Sequence, residues 1–589
     1  MNRRGKTQVG KRVTAALLAL LMLALAGCSN TSGPGGGNGG GTGDGQPVDG
    51  GTLNLAMFSA PKGVFNPILS ESQYDDNING LVFNGLLQSN EKLEMVCDLC
   101  KEFSFSADNK TVTFKLRENV KWHDGQPFTA KDVAFTFRSM LDPDYTGVRT
   151  NDYAALAGVQ KMLDQRDQLD AQVSSKQIDD ATAAKQKKEA WEAWLKGDGQ
   201  KAIHVIDDYT ISFTTDEPYA PLLINLAFPI IPEHIFKNVD LAKMEDADAT
   251  HNPIGTGPYK FVEFKDGQYV KLERNENYYM GKPHIPTIVY KVVNQDVAIG
   301  QLKAGELDFI EMQPKDVDLV KGDKNIRVEE RADFGYQYMG FNTDREFFKD
   351  KRVRQAIMYA INRQGIVDQL LGGHGTVMNS HMPPALWAYD ASQLNSYPYD
   401  PNKAKQLLAD AGWKPGPDGI LTKDGKPFEF TLKYPTGNKV REQSAPLIQA
   451  NLKEVGIKVN LQQMEFQTLS TTVFDQRNMD AWLMGWSLSL DPDPGSIFLP
   501  TNSWGKVTGW TNATSEQLIK NGTKVLKVEE RKPIYVQWAK ILNDELPYAF
   551  LYSQNKIDAM RQDRIKGLKP DARGSLWNIW ELWIPKDEQ

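Results

Sequence analysis

The sequence predicts an α/β protein built from more than one domain. Stretches with strand-like alternation, such as 52–57 and 111–116, are interleaved with stretches such as 74–87, whose apolar residues recur at helical spacing. The folded part comprises roughly 540 of the 589 residues, which is too long for a single hydrophobic core. We therefore expect two to four domains of mixed helix and sheet.

The N-terminus has the pattern of a secretion signal. Five basic residues precede an apolar run of 14 residues, 13–26, which is shorter than the ~20 residues that cross a bilayer as a helix. The run leads into Leu25-Ala26-Gly27-Cys28, which resembles the lipobox of bacterial lipoproteins. We expect a signal peptide at 1–27 and lipidation of Cys28. The alternative is a plain secretion signal that contains a cysteine.

A glycine-rich segment follows and separates the cysteine from the folded body. Half of residues 31–50 are glycine, and large apolar side chains are almost absent from 29–50. Such a segment cannot bury enough surface to offset its ordering entropy. We expect 28–50 to be a disordered tether with an r.m.s. span of roughly 25 Å.

Charge and hydropathy exclude several kinds of partner. The formal net charge is −7, and removing the five positive charges of the signal peptide lowers it to −12. An acidic body without a long basic run argues against nucleic acid and anionic lipid headgroups as ligands. No later run approaches 18 apolar residues, so no membrane span is expected after the signal.

The predicted elements follow from local patterns along the chain. Thr129 and Asp132 form a capping signal for a helix that continues through Phe137. The remaining predicted strands are 209–214, 260–264, 480–486 and 547–552, and the remaining predicted helices are 353–361 and 443–455.

The segment 151–200 predicts two antiparallel helices. It contains no proline, and its apolar residues recur at helical spacing on both sides of a bend near Ser174-Ser175 and Asp179-Asp180. A hairpin packed on the second domain is the simpler interpretation, and an arm that docks a partner is the alternative.

Cys97 and Cys100 are the only cysteines after Cys28. In an oxidising compartment they could close a small disulfide loop. Two buried free thiols, or a redox or metal site, are the alternatives, although no thioredoxin-like context or further ligands stand nearby.

No catalytic or cofactor motif is present. The sequence lacks a G-x-S-x-G elbow, an H-E-x-x-H pair and a Walker A loop, so nothing in it calls for an enzyme, a cofactor or a metal. Of the seven histidines, only His374 and His381 are close in sequence, and we expect both to be ordinary surface-loop residues.

Several pieces of the chain, in the expected order, resemble one family. Segment 113–137, TFKLRENVKWHDGQPFTAKDVAFTF, is similar to the signature region of family 5 extracellular solute-binding proteins, the oligopeptide- and dipeptide-binding components of ABC importers. Further matching pieces are 82–87, 252–259, 302–308, 353–357 and 399–413. Together they cover nearly the whole mature chain.

The resemblance implies a type II periplasmic-binding-protein fold: two lobes built from three domains, with a hinge and a ligand cleft between the lobes. The expected domains are domain I at 51–87, 204–315 and 541–589, domain II at 88–203 with the helical insertion 151–200, and domain III at 316–540.

The resemblance also implies a peptide site around Gly485, Trp486 and Ser487, which leave a buried strand for a proline-rich loop. In the family this segment lies against the peptide backbone, and an aspartate soon after it receives the α-amine. Here Ser489 departs from that pattern, so Asp491 is the first choice for the amine and Asp493 the second. Capping of the Asp-Pro turns is the alternative role for both.

Three residues of the other lobe carry over from the resemblance less directly. Gln73 and Tyr74 match positions near the peptide, and Tyr145 would contribute from domain II. Packing or plain surface exposure is the alternative for each.

The implied function is capture of peptides by a lipid-anchored monomer on the outer face of the cytoplasmic membrane, with delivery to an ABC permease and its ATPase subunits. Alternatives are an oligosaccharide-binding, nickel-binding or haem-binding protein of the same fold, a peptide-sensing surface lipoprotein, and, less in keeping with the motifs, a hydrolase. Ten of the 13 tryptophans lie beyond residue 386, and several of them in the cleft would suit sugar rings.

Overall fold

The computed structural model describes residues 45–502 and 504–589. The predicted signal peptide, Cys28 and most of the predicted tether lie outside the described residues. Within them, the buried apolar side chains form separate cores for two lobes. Lobe 1 comprises residues 45–331 and 556–589, and lobe 2 comprises residues 335–554.

A seven-stranded sheet organises lobe 1. Its central strand, Thr52–Met57, pairs in parallel with Thr287–Val292 along its whole length, from Thr52 opposite Thr287 to Met57 opposite Val292. This confirms the predicted first strand. The strands in spatial order are Ile326–Arg331, Lys556–Arg561, Phe309–Met312, Thr52–Met57, Thr287–Val292, Tyr269–Arg274 and Tyr259–Lys265.

A four-stranded sheet forms a second layer in lobe 1, in the order Cys100–Phe105, Thr111–Leu116, Thr210–Thr214 and Ile203–Asp207. Residues 204–214 were expected in domain I, but Thr210–Thr214 pairs directly with Thr111–Leu116. Phe114 and Phe213 then meet in the core with ring centroids 6.0 Å apart. The domain II unit therefore extends to at least Thr214.

The helices of lobe 1 follow their capping signals. Ala130–Ser139 begins at Thr129, which forms the predicted capping box with Asp132. The predicted hairpin is also confirmed, as Val159–Ser174 and Asp180–Lys196. Lobe 1 also contains the helix Gln295–Ala304 and the short helices Gly199–Ala202, Leu222–Leu226, Glu233–Phe236 and Asp248–His251. A small hairpin pairs the strands Leu87–Ser89 and Met95–Cys97.

One predicted helix is shorter than expected. The 74–87 helix occupies Gln73–Val82 and stops because Phe83 is extended. Hydrogen bonds from distant segments then bind the backbone in place of helical ones. Gly257 N–H donates to the carbonyl of Val82, and Ile230 N–H donates to the carbonyl of Asn84.

Lobe 2 is built on a six-stranded sheet with helices around it. In spatial order its strands are Gly375–Val377, Tyr548–Gln554, Gly335–Phe341, Ala481–Ser487, Glu429–Pro435 and Lys458–Met464. A three-stranded sheet adds Lys414–Pro415, Leu421–Lys423 and Lys426–Pro427. The helices are Glu346–Lys349, Lys351–Ala360, Arg363–Leu370, Pro401–Asp410, Lys439–Glu454, Phe466–Ser470, Gly495–Phe498, Ala513–Lys524 and Val528–Glu545.

The chain passes between the lobes at two neighbouring points. Residues 332–334 join Ile326–Arg331 of lobe 1 to Gly335–Phe341 of lobe 2, and Asn555 joins Tyr548–Gln554 to Lys556–Arg561. The crossings lie beyond the expected domain boundaries at 316 and 540. The reason is that Ile326–Arg331 pairs with Lys556–Arg561 in lobe 1, whereas Tyr548–Gln554 pairs with Gly335–Phe341 in lobe 2.

None of the helices in the described part of the chain combines the length and apolarity required to cross a bilayer.

Candidate functional site

One strand of lobe 2 has an open edge close to the crossings. We call Ala481–Ser487 the cleft strand. On one side it pairs with Gly335–Phe341 along its whole length, but on the other side Glu429–Pro435 pairs only with Ala481 and Trp482. In the described ranges 45–502 and 504–589, no strand pairs with the outer edge of residues 483–487. Unpaired backbone donors and acceptors of this kind are a template for an added extended chain.

The open edge contains the three residues that the sequence placed at the site. Gly485 and Trp486 are half-buried, and Ser487 is exposed. The indole of Trp486 stacks on Tyr338 and lies 5.0 Å from the ring of Trp504, which is 45% exposed. An aromatic surface therefore borders the strand on the face that carries Trp486.

Asp491, the first choice for the amine, is already paired. Its two carboxylate oxygens accept hydrogen bonds from Nη1 and Nη2 of Arg531, at 2.7 and 2.8 Å, and Arg531 also donates to the Tyr535 hydroxyl. Burial would lower the pKa of Arg531, but the hydrogen bonds and charge of Asp491 outweigh it and raise that pKa above its ordinary value. The structure thus gives Asp491 an internal cation, and a free carboxylate for a ligand amine is not found there.

Asp493 has a different environment. One of its oxygens, Oδ1, accepts a hydrogen bond from Gly495 N–H at 3.0 Å, and none of the described side chains donates to Oδ2. Burial, with the negative charge of Asp491, raises the pKa of Asp493 to about 7. The hydrogen bond from Gly495 and the charge of Arg531 lower this pKa, but they do not offset the two effects that raise it.

Lobe 1 meets lobe 2 beside these aspartates. Burial and then the charges of Asp493 and Asp491 raise the pKa of Tyr219, which belongs to lobe 1. Next to it, Ala220 N–H donates to the carbonyl of Thr523 in lobe 2 at 2.7 Å, and Glu217 lies 3.7 Å from the ammonium of Lys524. The Asp491–Asp493 loop therefore faces the opposite lobe.

The remaining predicted residues belong to lobe 1. Gln73 is exposed at the first turn of its helix, and Tyr74 is half-buried, with a pKa raised by burial and by the charge of Glu311. Glu311 pairs with Lys556, the residue after the second crossing. The hydroxyl of Tyr145 donates to the carbonyl of Ile68, and burial raises the pKa of Tyr145 to about 12.

Sequence reasoning missed several residues that the structure brings to this region. Arg531 and Tyr219 are separated from Asp491 and Asp493 by long stretches of chain and carry no local signal. Gln337 and Arg441 lie together over Gly485, where Arg441 Nε donates to Gln337 Oε1 at 2.6 Å. Only the strand pairing of Gly335–Phe341 with the cleft strand would have pointed to Gln337.

Two cysteines and the two histidines that are close in sequence occupy structural positions. Cys97 and Cys100 are joined by a disulfide. His374 pairs with Glu330, while His381 is buried, contrary to the surface position expected for it, and its Nδ1 forms a 2.8 Å hydrogen bond with the Tyr336 hydroxyl. Within residues 45–502 and 504–589, no group of three or more His, Cys, Asp or Glu side chains is arranged to hold a metal ion.

Two lobes with separate cores, joined by adjacent crossings and facing each other across an open strand edge, define an α/β binding protein of the type II periplasmic class. The family model for bacterial extracellular solute-binding proteins, family 5 Middle, matches residues 94–508. The chain belongs to the family 5 extracellular solute-binding proteins, as the sequence motifs indicated, and family members are extracytoplasmic.

Similar proteins cover nearly the whole chain. The oligopeptide-binding protein AppA of Bacillus subtilis is 32% identical over 97% of this chain and 98% of its own length. Its solved structure, in complex with a nonapeptide, has a TM-score of 0.72 and covers 92% of this chain and 100% of that chain. Heme-binding protein A of Haemophilus influenzae is 26% identical over 90% of this chain and 92% of its own length.

Proposed function

We propose that this protein captures peptides between its two lobes and delivers them to the permease of an ABC importer. The observation that carries the proposal is the open outer edge of residues 483–487, which lies next to the crossings and beside an aromatic surface. An extended peptide can add to this edge through backbone hydrogen bonds alone, which is a sequence-tolerant mode of binding. The likeness to AppA, whose structure holds a nonapeptide, supports the same choice.

Asp493 is the proposed partner of the peptide α-amine. It is the nearest carboxylate after the cleft strand that has no cation of its own, since Asp491 is bound to Arg531. An ammonium placed beside Asp493 would form a charge-assisted hydrogen bond and reduce the cost of its half-buried, incompletely compensated charge. Asp491 then serves to fix the loop by its pair with Arg531.

Gln73, Tyr74 and Tyr145 are proposed to complete the site from lobe 1, opposite Gly485, Trp486 and Ser487 of lobe 2. A ligand that touches both lobes favours the closed form, because only a ligand with different affinity for the two forms can shift their equilibrium. The hydrogen bond from Ala220 N–H to the carbonyl of Thr523 already joins the two lobes and would stabilise the closed form.

Anchoring follows from the N-terminal sequence. Signal cleavage before Cys28 and lipidation of its thiol would leave a glycine-rich tether that holds a monomeric body at the outer face of the cytoplasmic membrane. Import also requires a cognate permease and ATPases. A sensor that passes peptides to a receptor would use the same cleft. Permease and ATPase genes beside the gene for this protein, if found there, would favour import.

Calorimetry with defined ligands tests the proposal. The probes are a random pentapeptide library, individual alanine-based pentapeptides, a cello-oligosaccharide series and haem. Native mass spectrometry of unrefolded protein weighs any copurified ligand. We expect peptides to bind and the glycans not to bind. Binding of the glycans, or of haem, without any binding of peptides would overturn the peptide assignment.

A further inference from the structure

The glycine at position 485 leaves room for two polar side chains over the cleft strand. A Cβ atom at this position would lie 2.6 Å from Gln337 Nε2 and 2.7 Å from Arg441 Nη2. Contacts below 3.0 Å force a neighbour to move, so any other residue here would displace this pair. The absence of a side chain on the strand is therefore what allows the guanidinium of Arg441 to rest directly above the backbone of the open edge.

The guanidinium of Arg441 has hydrogen-bond donors that no described acceptor uses. Its Nε donates to Gln337 Oε1 at 2.6 Å, and its two terminal nitrogens donate to no acceptor in the described ranges. No carboxylate of residues 45–502 and 504–589 forms an ion pair with it. Two other arginines of lobe 2 differ: Arg531 is paired with Asp491, and Arg345 with Asp480 at 2.9 Å.

The start of a helix strengthens the positive potential around the Arg441 guanidinium. Arg441 lies in the first turn of the Lys439–Glu454 helix, where the backbone N–H groups also favour an anion. Burial lowers the pKa of Arg441, yet a guanidinium stays charged at neutral pH. A half-buried cation of this kind, with a planar fork of free N–H groups, matches a carboxylate in both charge and shape.

Neighbouring positions of the strand offer different chemistry. Gly485 and Trp486 point to opposite faces of the sheet, because successive residues of a strand alternate. Arg441 therefore borders the open edge on one face, and Trp486 with Trp504 borders it on the other. A peptide added to this edge would present its own side chains alternately to the cation and to the aromatic surface.

We propose that Arg441 binds a carboxylate of the captured peptide, and that Gln337 positions the guanidinium for it. The proposal rests on the peptide-binding function proposed above. The carboxylate can come from the C-terminus of the ligand or from a Glu or Asp side chain, and both present the same planar oxygen pair to the fork.

Matched peptides test the proposal by calorimetry. One arm compares alanine-based peptides of two to six residues as free acids and as C-terminal amides. A second arm uses C-terminally amidated pentapeptides with a single Glu or a single Gln at each position in turn. In at least one arm, loss of the carboxylate should weaken binding to the wild-type protein by about 10- to 100-fold. The arm that responds identifies the source of the carboxylate.

Two variants assign the effect to Arg441. Arg441→Ala should lose the difference between the charged and neutral peptides. Gln337→Glu keeps the size of the side chain and offers Arg441 an internal carboxylate, so it should also abolish the difference in a folded protein. The control, Arg352→Ala, removes an exposed arginine that pairs with Asp350, and should keep the wild-type preference.

The possible outcomes distinguish a failure of the Arg441 proposal from a failure of the proposed peptide-binding function. If the wild-type protein binds no peptide, the proposed function fails. If it binds peptides but treats each acid and its neutral counterpart alike, or if both variants keep the full preference, Arg441 does not read a carboxylate, although peptide capture stands.

Discussion

The guanidinium of Arg531 spans both carboxylate oxygens of Asp491 in a bidentate pair that is almost completely enclosed in lobe 2. Arg531 also lies 5.3 Å from the ring of Trp387 and donates to the carbonyl of Gly522 at 2.8 Å. The pair thus ties the loop after the cleft strand to the Ala513–Lys524 and Val528–Glu545 helices.

Asp491→Ala should destabilise the protein by about 3–5 kcal/mol, because it leaves the buried Arg531 without its counterion. Urea unfolding followed by tryptophan fluorescence measures the loss. The matched control is Asp344→Ala, which removes an exposed partner of Arg477 and should cost less than about 1 kcal/mol. Equal, small losses of unfolding free energy in the two variants would show that the Asp491–Arg531 pair does not stabilise the fold.

Binding of peptides with a free amine should weaken as the pH falls from 7.5 to 5.5, on the order of tenfold. Asp493, with a pKa of about 7 in the ligand-free protein, gains a proton over this range and loses its attraction for an ammonium that stays charged. Calorimetry at each pH, with N-acetylated peptides as the uncharged comparison, checks this. Asp493→Asn should remove the pH dependence; the same pH profile in the variant would exclude Asp493 as the amine partner.

The same carboxylate should affect the stability of the ligand-free protein. Because folding raises the pKa of Asp493, its folded environment disfavours the charged form, and stability falls as the pH rises from about 4 through 7. Asp493→Asn should therefore narrow the difference in unfolding midpoint between pH 5 and pH 8. An unchanged difference in thermal scans would contradict the raised pKa.

The Cys97–Cys100 disulfide should stabilise the fold by about 2 kcal/mol, the chain-entropy value for so short a loop. Replacing both cysteines by serine should lower the unfolding free energy by this amount and change peptide affinity less than twofold. Adding reductant to the wild-type protein should reproduce the loss. A reductant effect on the double variant as well would place its cause elsewhere.

Cys28→Ala should leave folding intact and release the protein from membranes into the medium, because the lipid is the proposed anchor. Fractionation of cells that express the variant, with antibody detection, measures the release. Retention of the variant in the membrane fraction would argue against a lipid anchor at Cys28.

Local patterns predicted the elements better than their connections. The strands at 52–57 and 111–116 and the helix capped by Thr129 match the structure, since alternation and capping are properties of neighbouring residues. The helix expected at 74–87 ends at Val82 because distant segments bind the backbone beyond it. The domain boundaries near 316 and 540 missed the crossings for a similar reason, since strand partners far along the chain decide them.

The candidate site could be predicted in part from the sequence. Resemblance located Gly485, Trp486 and Ser487, and the structure places them on an open strand edge. It ranked Asp491 before Asp493, because the cation that occupies Asp491, Arg531, lies on a helix 40 residues further along the chain. Sequence reasoning did not identify Arg441 for a similar reason, because Arg441 lies far along the chain from the cleft strand.

The two crossings have a mechanical consequence. They are side by side: Arg331 is opposite Lys556 in the lobe 1 sheet, and Ser553 Oγ donates to the Gly335 carbonyl just across the junction. Two crossings side by side resist twisting of one lobe against the other, but they permit the lobes to bend about the line that joins the crossings. We therefore expect the two lobes to open by a change in a single angle. The distance between two spectroscopic labels, one on each lobe, would measure that change.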